Sequence, residues 1–207
     1  MNGGHYHAMP AMWPFLKCLY FIASEVVNAT VRDRFMSMNF HEITYGKSID
    51  RSEAVHGSDA CMDPPMVSVA INKSRHTENG IEENKTFSLN IPAAKDVITT
   101  DFCGLVSGKK EDKSDLFDVL YGKLGNAPMI GSFPVNIECE LFHTADLGSH
   151  NLHVGKIVDV HADENCLTNG ILDTAKVDPI VYSNANYYRL GESIGSSYSI
   201  GKGLKRP

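Results

Sequence analysis

Residues 133–163, FPVNIECELFHTADLGSHNLHVGKIVDVHAD, constrain the fold more than any other part of this chain. Val135, Ile137, Cys139 and Leu141 recur at every second position, the period of a strand with one apolar face. Leu152, Val154, Val158 and Val160 give the following run an apolar face of its own, and Asp146 to Ser149 between the two runs reads as a turn. Two long strands joined by a short turn form an antiparallel hairpin.

Other segments add to it. In MVSVAIN, Val67, Val69 and Ile71 alternate with Ser68, Ala70 and Asn72, which predicts a strand over 66–72. A short polar turn or helix, TENGIEEN, follows, with Glu82 and Glu83 exposed. In TFSLNIP, Phe87, Leu89 and Ile91 share one face, Ser88 and Asn90 the other, and Pro92 ends the strand. Val97, Ile98, Phe102 and Leu105 fall at helical intervals, with Gly104 and Gly108 closing that helix, and KSDLFDVLYGKLG predicts a second one. Late in the chain, DPIVYSNANYYRLGE predicts two short strands about a turn at Asn184 to Asn186. Sequential strands with two helices in the middle predict a mainly β chain, a closed or nearly closed antiparallel barrel.

At 207 residues the chain has room for one substantial core. The expected organisation is a leader of uncertain order over 1–36, in which His5 and His7 read as tail residues, and one domain over 37–207. A formal charge of -6 argues against general attraction to nucleic acid. Residues 13–31 are hydrophobic, but Lys17 and Glu25 interrupt them well short of the ~20 apolar residues of a membrane span. Five cysteines, none in a CxxC pair, suit a reducing compartment and predict a cytoplasmic protein.

Lys73, Ser74, Arg75, His76 and Thr77 place two fixed cations and two hydroxyls in five residues at the end of the predicted strand. Such a group either binds a small anion, through a guanidinium fork and hydroxyl donors, or is a solvated turn. A metal reading of His143, His150, His153 and His161 meets a geometric objection, because a separation of three points His150 and His153 to opposite faces of a strand. No metal site is expected. Cys103, on the apolar side of its helix, reads as a small buried hydrophobe more readily than as a redox thiol. No GxGxxG, GxSxG or HExxH motif is present.

The segments DPPMVSVAINKSRHTENGIEENKTFSLNIP, TDFCGLVSGKKEDK, the 133–163 hairpin and YYRLGESIG, in this order, resemble the flavin reductase-like family, the FMN-binding split barrels that include flavoredoxin. The similarity runs from about Ser52 to Lys202. It implies an antiparallel, six-stranded split barrel of Greek-key type with helical additions, dimerising with FMN near the subunit interface. By that resemblance Lys73, Ser74, Arg75, His76 and Thr77 approach the FMN phosphate, and the Asn90, Ile91 and Pro92 backbone approaches the polar edge of the ring. Cys103, Gly104, Ser107 and Gly108 would lie against the flavin, with Lys113 a further cation and His150 on the flavin side, at the interface or packed in the core. Ser52 corresponds to a phosphate-binding threonine, whereas Ile49 and Val55 replace the family's asparagine and tryptophan.

The activity so implied is hydride transfer from NADH or NADPH to flavin and electron delivery onward. The alternatives are an FMN-holding electron carrier serving a partner such as rubredoxin or ferredoxin, or a degenerate, non-catalytic homologue with a flavin-binding or purely structural role.

Overall fold

The computed structural model describes residues 6–8, 26–27, 58–106, 108, 110–196 and 199–204. Its strands are β1 (Tyr6–Ala8), β2 (Val26–Val27), β3 (Ser58–Met62), β4 (Pro65–Asn72), β5 (Thr86–Ile91), β6 (Val119–Tyr121), β7 (Pro128–Ile130), β8 (Val135–Asp146), β9 (His150–Asp163), β10 (Leu167–Thr168), β11 (Ile171–Leu172), β12 (Ile180–Ser183) and β13 (Asn186–Arg189). The helices are α1 (His76–Asn84), α2 (Val97–Leu105) and α3 (Thr174–Val177). None of them is long and apolar enough to cross a membrane.

The predicted hairpin is the backbone of the fold: β8 and β9 pair from Val135↔Ala162 to Asp146↔Asn151. Gly148 closes the turn at a φ of 87°, with its amide donating to Asp146 Oδ1 at 2.8 Å. A left-handed φ of this kind costs glycine nothing. β8 also pairs with β5, while β9 pairs with β4 over residues 150–156 and with β1 over residues 161–163. The resulting antiparallel sheet has seven strands, in the order β2-β5-β8-β9-β4-β3 with β1 on β9. β1 and β2 come from the segment expected to be a leader and raise the strand number above six. Among the described residues no ladder joins β2 to β3, so the sheet is antiparallel as expected without a closed six-stranded barrel being formed by them.

The core lies on one face of this sheet and holds Val67, Val69 and Ile71 of β4, Phe87, Leu89 and Ile91 of β5, and Val135, Ile137 and Cys139 of β8. On β9 the expected apolar face is corrected by two bulges. The register slips past Val158 and, on β8, past Phe142. His153, Gly155 and Ile157 therefore point inward before the slip and Val160 and Ala162 after it, leaving Leu152, Val154 and Val158 half-buried. A bulge adds one residue and reverses the alternation beyond it. Gly155 is required where it sits, since a Cβ there would lie 2.3 Å from Cζ of Phe87.

The second predicted helix does not form. Residues 114–116 make a single 3-10 turn and the rest becomes the β6–β7 hairpin. The physical reason is the polar face of β5 and β8, where Ser88 and Asn90 are fully buried rather than solvated. The Ser88 hydroxyl donates to the Pro128 carbonyl, and the Ile130 amide donates to Oδ1 of Asn90 at 3.3 Å and of Asn136 at 3.2 Å. These side chains complete the backbone hydrogen bonding of β7, which a helix would satisfy internally.

α2 forms as predicted but presents a different face. Thr100 and Cys103 are its buried residues, whereas Ile98 is 80% and Leu105 76% exposed. Gly104 lies inside the last turn instead of closing it. The β12–β13 hairpin turns at Asn184 and Ala185, both at positive φ, and holds α2 through a 2.7 Å hydrogen bond from the Tyr187 hydroxyl to Asp101.

Candidate functional site at the start of α1

β4 ends at Asn72, whose side chain accepts from the Ser74 amide at 2.9 Å and whose carbonyl accepts from the Arg75 amide at 2.9 Å. This turn makes Arg75 the N-cap of α1, in extended backbone and without a side-chain capping bond. The first-turn amides of such a helix carry partial positive charge and remain available as donors. Thr77 stands in that turn with its hydroxyl oxygen buried and without a hydrogen-bond partner.

Lys113 stands at the end of α2. Its ammonium is buried and donates to the carbonyls of Cys103 at 3.0 Å and Val106 at 2.6 Å, so it closes the C-terminal end of α2. Burial lowers its pKa, and the nearby Arg75 guanidinium acts in the same direction. Arg75, the N-cap of α1, thus lies within electrostatic range of Lys113 at the end of α2. Cys103 is buried there and its thiol is pushed up by that burial, which leaves it a poor nucleophile. Gly108 is buried as well.

The remaining candidates have other partners. The Lys73 amide donates to Ser149 at 3.0 Å and its ammonium pairs with Asp146 at 2.6 Å, which holds the Asp146 carboxyl low. His150 faces Asn72 across the ladder, with Nδ1 2.8 Å from the Ser149 hydroxyl, so Lys73 and His150 belong to the hairpin turn, whereas Ser74 stays in the turn that leads into α1. The Asn90 side chain is engaged with Ser88 and Ile130, Ile91 is in the core and Pro92 is buried. Ser52, Ile49, Val55 and Ser107 lie outside the described residues.

Two buried charge networks were not predicted. Glu78, in the first turn of α1, accepts from Asn151 Nδ2 and lies 2.9 Å from His153 Nε2, while the Thr144 hydroxyl lies 3.0 Å from His153 Nδ1. Burial pushes the Glu78 carboxyl up, but the bonds from His153 and Asn151 outweigh it and leave the group below its ordinary value. Glu138 on β8 accepts from the amides of Lys123 at 2.9 Å and Leu124 at 3.0 Å, and from His161 Nε2 at 3.0 Å. There too burial is outweighed, and the bond to Glu138 raises the His161 pKa. The i, i+4 spacing of Glu78 and Glu82 is the local signal the sequence offers for the first of them.

The donor set at the start of α1 fits a phosphate monoester. An orphaned buried hydroxyl, uncapped helix amides and a guanidinium are the groups such an anion engages.

Comparison with known proteins shows the family. The profile of the "Flavin reductase like domain" matches residues 57–191. Flavoredoxin from Methanosarcina acetivorans superimposes with a TM-score of 0.74 at 33% identity, covering 90% of this chain and 94% of that one. Flavoredoxin of Desulfovibrio vulgaris (Miyazaki F) gives a TM-score of 0.70 at 30% identity, covering 87% and 95%. A curated relative from Archaeoglobus fulgidus, a ferric-chelate reductase (NAD(P)H), is 26% identical over 134 residues, 58% of this chain and 77% of that protein. The chain spans 63%, 58% and 48% of the lengths of three uncharacterised archaeal relatives. By profile and by structural likeness, the chain belongs to the flavin reductase-like family.

Proposed function

We propose that this protein binds FMN with its phosphate at the start of α1 and works as an NAD(P)H-dependent flavin oxidoreductase. The observation that carries the reading is the Thr77 hydroxyl, buried without a partner beside an uncapped helix start, with Arg75 as its N-cap and Lys113 nearby. In this reading Thr77, Arg75 and the first amides of α1 hold the phosphate, and Lys113 fixes the end of α2 against it. The Asn90–Pro92 backbone, Gly104, Ser107, Gly108 and Ser52 complete the pocket as the family resemblance implies. When bound, FMN supplies the redox centre, taking up a hydride equivalent and passing electrons to an acceptor, and the protein supplies position and access. The reading includes a split barrel completed by residues outside those described, a homodimer to which the exposed Ile98 and Leu105 offer apolar surface, and a cytoplasmic location.

The test is an absorption spectrum of the purified protein, an FMN titration, and NADH and NADPH oxidation with and without added free FMN. Flavin bands, saturable binding and turnover support the reading. A colourless protein with no response to FMN rejects it and leaves the degenerate homologue. A second reading, an FMN-holding electron carrier, is favoured by the likeness to two flavoredoxins over nearly their whole length. Flavin bands with turnover only when rubredoxin or ferredoxin is added would select it.

A further inference from the structure

Glu78 and Glu82 stand one turn apart on α1 and face His153 of β9, with one ligand atom from each within 4.8 Å of the other two. His153 is fully buried, Glu78 is nearly so, and the Glu82 side chain is 44% exposed. We propose that these three side chains form a site for one divalent first-row cation of the Zn2+ type, made of side chains that the proposed flavin site does not use.

The chemistry suits such an ion. One imidazole and two carboxylates are borderline and hard ligands that Zn2+, Co2+ and Fe2+ share. Bond lengths of about 2.0–2.2 Å set ligand atoms roughly 3.3 Å apart around a tetrahedral ion. Glu82, the exposed member, has the freedom to close that distance. His153 Nε2 and Glu78 Oε2 face each other at 2.9 Å, the separation of an N–H···O bond, and a metal ion would take the place of that bridging proton. The supporting contacts match an outer shell: Thr144 lies at 3.0 Å from Nδ1 and sets the ring, and Asn151 holds the other Glu78 oxygen. Lys85 takes Oε2 of Glu82 at 2.9 Å and leaves Oε1 directed toward Thr144. The Lys73 ammonium is committed to Asp146 at 2.6 Å. α1 also lacks an apolar seam, since Ile81 is its one buried hydrophobic residue, so a metal crosslink to β9 would supply hold that packing does not.

The similar group of Glu138, Asp159 and His161 differs in kind. Both oxygens of Glu138 are already bonded to backbone amides and the side chain is closed off from solvent.

The test uses the full chain without an affinity tag, stripped with a chelator and titrated with Zn2+ by calorimetry and Co2+ by visible absorption. One ion per chain is expected, bound at micromolar concentration. Glu82→Gln, a surface change that keeps the fold, and His153→Gln should each weaken binding at least tenfold, while the His5→Ala/His7→Ala pair leaves it unchanged. Absence of saturable binding, equal binding by Glu82→Gln, or loss of binding in the His5/His7 pair would each overturn the proposal.

Discussion

Lys113 Nζ lies 3.0 Å from the carbonyl oxygen of Cys103 and thereby ties the segment after α2 back onto the helix's own last turn. Its second bond, to Val106 at 2.6 Å, satisfies another carbonyl that a helix end leaves open. Lys113→Met, which keeps the length and removes the donors, leaves two carbonyls under-satisfied and should cost about 1–3 kcal/mol. A denaturant melt checks it. A change below ~0.5 kcal/mol would show that solvent takes over the bonds.

Arg75 and Thr77 separate binding from folding. Arg75→Ala should weaken FMN binding by about 1.5–3 kcal/mol if the guanidinium pairs with the phosphate. Thr77→Val removes a buried hydroxyl that has no partner, so the free protein should keep or gain stability while FMN affinity falls by ~1 kcal/mol. Fluorescence titration alongside a thermal melt reads both quantities. A variant that loses stability and keeps its affinity would remove Thr77 from the phosphate site.

What the sequence made legible and what it concealed follow from the range of each interaction. Alternation through Val135 to Leu141 and the Asn184–Asn186 turn are local, and the structure reproduces both. The bulges at Phe142 and Val158 leave no mark on the apolar pattern, so the inner face of β9 was misassigned although its limits were not. The helical spacing of Val97, Ile98, Phe102 and Leu105 identified an apolar side of α2, but tertiary contacts decide which side is covered. Gly122, Gly125 and Pro128 were breaker signals that the period in KSDLFDVLYGKLG obscured. Glu78 and His153 lie 75 positions apart, beyond any local pattern. The strand-parity objection to a metal joining His150 and His153 holds, yet it does not bear on partners that arrive from a helix.

Glu138 and His161 predict an opposed pH dependence. The folded His161 pKa is raised above 6.5, so its contribution is fully present below pH 6.5 and is lost as pH rises through the raised value. The folded Glu138 pKa is lowered below 4.5, so its contribution is present above pH 4.5 and is lost as pH falls through the lowered value. Thermal melts should therefore show a maximum between these limits. His161→Gln should flatten the alkaline arm and shrink the acid arm, since His161 is the largest of the groups that hold Glu138 low, whereas an unchanged alkaline arm would assign it to another group.

Gly155 and Phe87 should prove strongly coupled. Phe87 is fully buried, and the absence of a side chain at residue 155 lets its ring lie against β9. A Cβ there would stand 2.3 Å from Cζ of Phe87 and 2.9 Å from Cβ of Cys139, so it meets a ring on one side and a strand on the other. Neither neighbour is the loose end of a flexible chain, and Gly155→Ala should cost about 1–3 kcal/mol by overpacking. Phe87→Ala alone opens a cavity and should cost about 3–5 kcal/mol. In the double variant the new methyl enters the space the ring has left, so the combined loss should fall short of the sum by at least ~1 kcal/mol. Additive losses in denaturant melts of the four proteins would mean that β9 shifts to accommodate the methyl group, and that glycine at 155 serves the twist of the strand instead of the seat of the ring.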